Sequence, residues 1–245
     1  MSSNSIKPIA ILEYDLDNGP AYFAEFLRRQ NFPYEHLRID RGAPVPTSIV
    51  PYGGLCLMGG SPSVNDPLPW IPQVLALTLA AIRQDVPIIG HCLGGQLLAK
   101  ALGGIVSASP EPEIGWGYCF AENNAAARAW CGDANEFPAF QWHFETFSIP
   151  ANATRILRGV HCANQAFVLG PHIGFQPHIE VDERVIRLWA DKDRVMLRNL
   201  PGPGVQSDKQ MFADIGKKLP AMRMVAEHAY SVWFAGVVAR QQPPC

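Results

Sequence analysis

Val86-Pro87-Ile88-Ile89-Gly90-His91-Cys92-Leu93-Gly94-Gly95-Gln96 opens on a short apolar run and closes on a Gly-x-Cys-x-Gly frame. Apolar side chains then recur at Leu93, Leu97, Leu98, Ala101 and Leu102, the spacing of one helical face. A strand that turns sharply into a helix through small residues is a nucleophile elbow with sulfur in place of oxygen. Glycines on both sides leave room for a strained turn that a side chain would obstruct. The sulfur of Cys92 is expected to sit exposed at the helix N-terminus, where free N–H groups and the macrodipole favour thiolate over thiol. The plainer reading, a small core hydrophobe after a buried strand, leaves the flanking glycines without a purpose. Cys56, Cys119, Cys131, Cys162 and Cys245 lack this setting, and Cys56 inside Gly54-Leu55-Cys56-Leu57-Met58 reads as core.

Outward from the elbow, residues 9–14, 34–39, 54–58 and 87–90 read as strands, with helices at 20–30 and 71–84. This alternation predicts an α/β fold: a doubly wound, mostly parallel, flavodoxin-like sheet with its site at the carboxyl ends of the strands. Beyond Ser107, shorter strands at 117–121, 139–141, 155–159, 166–169 and 172–176 predict a small added antiparallel layer. Helical segments at 181–197 and 209–239, parted by Pro201-Gly202-Pro203-Gly204, predict a C-terminal helical extension. The expected division is a domain over 1–200 and an extension over 201–245 packed on it. In that extension Met222, Val225, Ala226, Ala229, Val232, Trp233 and Val237 recur at helical spacing. Two occupants compete for this stripe: the chain's own domain, or another chain anchored through Trp233 and Phe234.

The composition narrows the classes. With 245 residues, 48% hydrophobic and 17% charged, the chain can bury a large core in one domain. A net charge of −2 and a pI near 6.4 give no electrostatic footprint for nucleic acid or an anionic membrane. The apolar runs at 74–82 and 232–239 fall short of a spanning helix. The opening Met1-Ser2-Ser3-Asn4-Ser5-Ile6-Lys7 lacks a signal-peptide core, so the expectation is a soluble, cytoplasmic protein. No paired Cys-x-x-Cys spacing occurs, and the adjacent His91-Cys92 and His161-Cys162 are poorly spaced as ligands, so no metal site is expected.

A cysteine nucleophile needs a base. Of seven histidines, His178 stands out in Gly174-Phe175-Gln176-Pro177-His178-Ile179-Glu180, after an apolar strand. In an extended segment Glu180 points the same way as His178, so its carboxylate can hold the imidazole in one tautomer. Alternatively, His178 is a surface histidine and Glu180 serves the dipole of the next helix. Acyl transfer also needs oxyanion donors. The Leu93 N–H, directly after Cys92, is one candidate; the glycine-rich Met58-Gly59-Gly60-Ser61-Pro62-Ser63-Val64 supplies another. That loop lacks the G-x-x-x-x-G-K-[ST] pattern of a phosphate loop.

The ordered set Gly59-Gly60, Gly90 through Gln96, then Gln176-x-His178-x-Glu180 resembles the class I glutamine amidotransferase domain. Glu113-Ile114-Gly115-Trp116 and Trp142-His143-Phe144-Glu145 look like two further segments of its GMP-synthase-like branch. Departures are Pro177 and Ile179 flanking the histidine, Ser61 where the family often has proline, and Glu145 where this branch often has aspartate. The resemblance, covering about residues 9–180, implies a Cys92–His178–Glu180 triad with Gly60 and Leu93 at the oxyanion hole. It further implies that Gln96, Trp142, His143 and Glu145 bind the substrate. The implied reaction is hydrolysis of the glutamine side-chain amide to glutamate and ammonia through a γ-glutamyl thioester, without a cofactor. A γ-glutamyl peptidase using the same triad is the second reading, and a non-catalytic binding scaffold the third. No Ser-Gly-Gly-x-Asp-Ser signature is present, so a synthetase using the ammonia would be a separate chain. A second copy of this chain also stays open as a partner.

Overall fold

The computed structural model describes residues 6–15 and 19–242; Cys245 and the first five residues lie outside them. β1 (Ile9–Glu13), β3 (Gly54–Leu57), β4 (Ile88–His91) and β9 (His172–Phe175) are buried at every position. Such continuous apolar runs are what a parallel strand covered on both faces requires. β2 (Tyr34–Arg38), on the edge, is only partly covered. The sheet has nine strands in the order β2-β1-β3-β4-β9-β8-β7-β5-β6. Pairings from β2 through β9 are parallel; those among β9, β8 (Ala166–Leu169), β7 (Thr154–Arg158), β5 (Val106–Ala121) and β6 (Glu136–Phe147) are antiparallel.

Side chains alternate between two apolar clusters, as the two-residue strand period dictates. Ile9 and Ile11 join one cluster with α1 (Ala21–Arg29), and Ala10 and Leu12 join the other with α2 (Trp70–Arg83) and α3 (Leu93–Ala101). The carboxyl ends of β1, β3, β4 and β9 fall on one edge of the sheet, the edge where doubly wound folds place ligands.

The antiparallel addition extends this same sheet. Its hairpin is longer than the sequence suggested: β5 runs 16 residues and β6 runs 12, against short strands at 117–121 and 139–141. Pro110, Pro112 and Pro138 hid the ladder from a propensity reading. A register shift between Ala108 and Glu113 absorbs the first two, and β6 is an edge strand that tolerates the third. The helix α4 (Ala125–Cys131) was not expected; Asn124 caps it by accepting from the Ala127 N–H at 2.8 Å.

The helical segment expected at 181–197 is two helices, α5 (Glu183–Lys192) and α6 (Arg194–Asn199). The one expected at 209–239 is also two, α7 (Asp208–Phe212) and α8 (Ile215–Gln241), divided at Asp214, whose φ is 58°. Among the described residues no helix is long and apolar enough to cross a membrane.

Candidate active site

The elbow glycines provide room. A Cβ on Gly90 would lie 2.4 Å from the Gly94 carbonyl oxygen, one on Gly94 would lie 2.0 Å from that of Leu57, and one on Gly95 would lie 2.3 Å from that of Phe175. Their hydrogens are therefore what lets α3 seat against β3 and β9. The strain itself is carried by Cys92, at φ 49° and ψ −109°, a conformation costly to an L-residue and one that clusters at functional sites. Gly94→Ala is expected to cost about 3 kcal/mol or more, read as a melting-temperature drop of about 10 °C. Gly216→Ala is the control: its Cβ meets nothing within 4 Å, so the melting temperature should hold or rise slightly. Equal melting temperatures for the two variants would remove the packing role.

Cys92 is 5% exposed and lies in a cavity of about 400 Å³, so the sulfur is recessed where the sequence suggested an exposed one. The Cys92 N–H donates to the Phe175 carbonyl at 2.9 Å, which ties the elbow to the end of β9. Just past β9, the His178 N–H donates to the Phe140 carbonyl at 2.7 Å, and its ring lines the same cavity as the Cys92 side chain. Its Nδ1 lies 2.7 Å from Glu180 Oε1, with both residues buried. Trp189 of α5 packs edge-on against the His178 ring at 4.8 Å.

Burial alone would depress the His178 pKa; the charges of Cys92 and Glu180 overcome it and push the value up to about 10. Burial acts the other way on Glu180, and His178, then His91, hold its carboxyl below the usual range.

Gly59 and Gly60 follow β3 and face the elbow. A Cβ on Gly59 would come within 2.6 Å of the His178 ring, and one on Gly60 would touch Leu93 and Tyr14 at 3.2 Å. Gly60, Gln96, Trp142, His143 and Glu145 all line the cavity with Cys92 and His178. The Gln96 amide, expected to contact substrate, donates to the Glu145 carbonyl at 3.0 Å. The His143 ring is engaged by Glu113 and the Glu145 carbonyl.

Several lining residues carried no sequence signal. Asp15, hydrogen-bonded to Ser61 of the glycine-rich loop already quoted, forms one wall; Trp189, Lys192, Asp193 and Met196 of the α5–α6 region form another. The Gln176 amide, inside the quoted distal motif but without an assigned role, donates toward the Cys92 sulfur at 3.8 Å. Among the described residues, one ligand atom from each of Glu113, His143 and Cys162 lies within 4.8 Å of the others, a grouping that sequence spacing did not suggest.

A model of the class-I glutamine amidotransferases matches residues 23–187. The chain belongs to that family. Its relatives include the glutamine-hydrolysing GMP synthase of Ignicoccus hospitalis, in which the matching chain is one subunit, 35% identical over 105 residues. That match takes in 42% of this chain and spans 55% of the relative's length. Among solved structures, a glutamine amidotransferase from Methylobacillus flagellatus is 44% identical, with a TM-score of 0.92 over 95% of this chain and 96% of that one. Another from Thermotoga maritima, 22% identical with a TM-score of 0.75 over 96% and 98% of the two chains, shares the fold.

Proposed function

We propose that this chain hydrolyses the side-chain amide of glutamine to glutamate and ammonia. The observation that carries the reading is the strained Cys92 in a cavity it shares with His178, whose ring Glu180 orients. Cys92, its thiol proton passed to His178, attacks the amide carbon as the thiolate, and the oxyanion that forms is met by the N–H groups of Gly60 and Leu93. His178 gives its proton to the departing ammonia, leaving a γ-glutamyl thioester. Water then attacks the thioester while His178 takes up a proton, and glutamate leaves. Glu180 holds the imidazole in register throughout. Trp142 and Glu145 bound the space for the amino-acid end of the substrate, with Gln96 and His143 beside them. We assign this chemistry to residues 1–200, with 201–245 as a helical extension packed on the same domain.

Similarity to one chain of a GMP synthase supports a separate synthetase chain as the recipient of the ammonia. The cavity volume also favours a second substrate class: about 400 Å³ lies in the range that holds drug-sized ligands, so γ-glutamyl amides with larger leaving groups belong in the same assay.

The test is release of ammonia and glutamate from glutamine, followed against pH. His178 must be protonated to serve the leaving ammonia, and its raised pKa keeps that proton until about pH 10. Wild-type kcat/KM should therefore hold through neutral pH and fall as pH rises through about 10. Glu180→Gln removes a charge that supports the imidazolium, so its alkaline limb should move to lower pH, with kcat down by about 10²–10⁴. Superimposed alkaline limbs would take Glu180 out of the mechanism.

A further inference from the structure

Glu113 of β5 and His143 of β6 stand directly opposite each other in the antiparallel ladder, both buried. The two nitrogens of His143 face only acceptors. Nδ1 lies 3.1 Å from the Glu145 carbonyl oxygen, and Nε2 lies 3.1 Å from Glu113 Oε2. A carbonyl oxygen can only accept, so Nδ1 carries a hydrogen and donates it. Nε2 and the carboxylate can then meet at this distance only with a proton shared between them. The Gln165 amide donates to the same carboxylate oxygen at 2.6 Å, which fixes Glu113 from the other side. Neither ring nitrogen of His143 is left over for a ligand.

The Glu145 carbonyl receives two donors, His143 Nδ1 and Gln96 Nε2. Gln96 also reaches the Gln176 side-chain oxygen at 3.4 Å, and the Gln176 amide points at the Cys92 sulfur. One hydrogen-bonded path thus runs from Glu113 to the cavity wall and on to the reacting atom.

We propose that Glu113 is a positioning residue for glutamine binding. It keeps His143 donating to the Glu145 carbonyl, and so holds the wall formed by Trp142, Phe144 and Glu145, without touching substrate itself. This deepens the glutaminase reading and rests on it.

The test uses the full chain, with Glu113→Leu, Glu113→Gln and His143→Phe. Glu113→Leu should raise KM for glutamine at least tenfold with kcat within about threefold, the pattern of lost uniform binding. Reaction of Cys92 with iodoacetamide, a small electrophile that needs no wall, should stay at the wild-type rate. Glu113→Gln should restore KM to within about threefold of wild type, because its amide can donate to an unprotonated Nε2 while Nδ1–H still serves Glu145. If the leucine variant fails to fold, His143→Phe carries the test: it keeps a ring, loses both donors, and should raise KM by a similar factor. Adding Glu113→Gln to it should then raise KM no further.

A KM moved less than threefold in folded Glu113→Leu, or in His143→Phe where that variant carries the test, would overturn the proposal. So would a loss of iodoacetamide reactivity in step with kcat, which marks general damage to the site. Cys162 Sγ belongs to the same cluster but hydrogen-bonds Thr146 Oγ1 at 3.0 Å, and Cys162→Ser should leave KM unchanged. Stoichiometric metal in the purified protein, lost together with glutamine affinity in Cys162→Ser, would replace the shared proton with an ion and overturn it as well. A wild-type protein that releases no ammonia from glutamine would reject the glutaminase reading and this proposal together. Normal wild-type turnover with unmoved KM in the variants would reject only the role of Glu113.

Discussion

Cys92→Ala is expected to lower kcat for glutamine hydrolysis by at least about 10⁴-fold while leaving the fold intact. Alanine keeps the Cβ that the strained backbone already accommodates at φ 49°, so packing around the elbow changes by one sulfur atom. The proposed reaction would lose its nucleophile, and neither His178 nor Glu180 can take its place on the amide carbon. In the proposed mechanism the sulfur and the imidazole act as one unit, so Cys92→Ala/His178→Ala should be little worse than either single variant. A glutamine-like electrophile should label Cys92 alone. Burial pushes the thiols of Cys56 and Cys162 up, which keeps them protonated and slow to react. Label found on Cys56 or Cys162, or turnover surviving in Cys92→Ala, would end the covalent mechanism.

Legibility from sequence followed the range of the interactions. The elbow could be read because its determinants are local: a short apolar strand, glycines on either side of Cys92, and a helical stripe, all within 17 residues from Val86 to Leu102. His178 and Glu180 could be paired because a two-residue step in extended chain aligns their side chains. Their approach to Cys92 depends on β9 lying beside β4, a parallel pairing between strands 80 residues apart that the sequence expresses only through motif order. The Glu113–His143 contact was hidden for a related reason. It exists because the β5–β6 register shifts before Glu113, and a propensity reading of Pro110 and Pro112 breaks that strand. The cavity wall from α5 and α6 carried no signal either. Trp189 and Met196 look like ordinary apolar helix positions, yet Trp189 packs on the His178 ring and Met196, past the break at Asp193, lines the same cavity.

Removing all but the first turn of α8, by ending the chain at Leu219, is expected to give insoluble or largely unfolded protein. Met222, Val225, Ala226, Ala229, Tyr230, Trp233 and Val237 are buried along one face of the helix, while Val232 is half-buried. Trp233 lies against the backbone of β3, where a Cβ on Gly54 would sit 3.0 Å from its ring, and packs edge-on to Phe23 at 5.6 Å. Phe234, the other candidate anchor for a partner, is engaged by Phe26 and Phe32 of the same chain. At about 1.5–3 kcal/mol for each large apolar side chain returned to water, the loss rivals the roughly 5–15 kcal/mol that holds a domain folded. The damage would also reach the site, because the Tyr230 hydroxyl hydrogen-bonds His91 Nε2 at 3.1 Å, one residue before Cys92. Trp233→Ala is the milder form of the experiment, expected to cost about 3–5 kcal/mol and to lower the melting temperature by on the order of 10 °C. If the stripe instead served mainly as an interface, the truncated chain would remain soluble, keep its melting temperature and change only its oligomeric state. That outcome would make α8 a docking surface for another chain. The inward aim of Trp233, 1% exposed, is the reason to expect collapse.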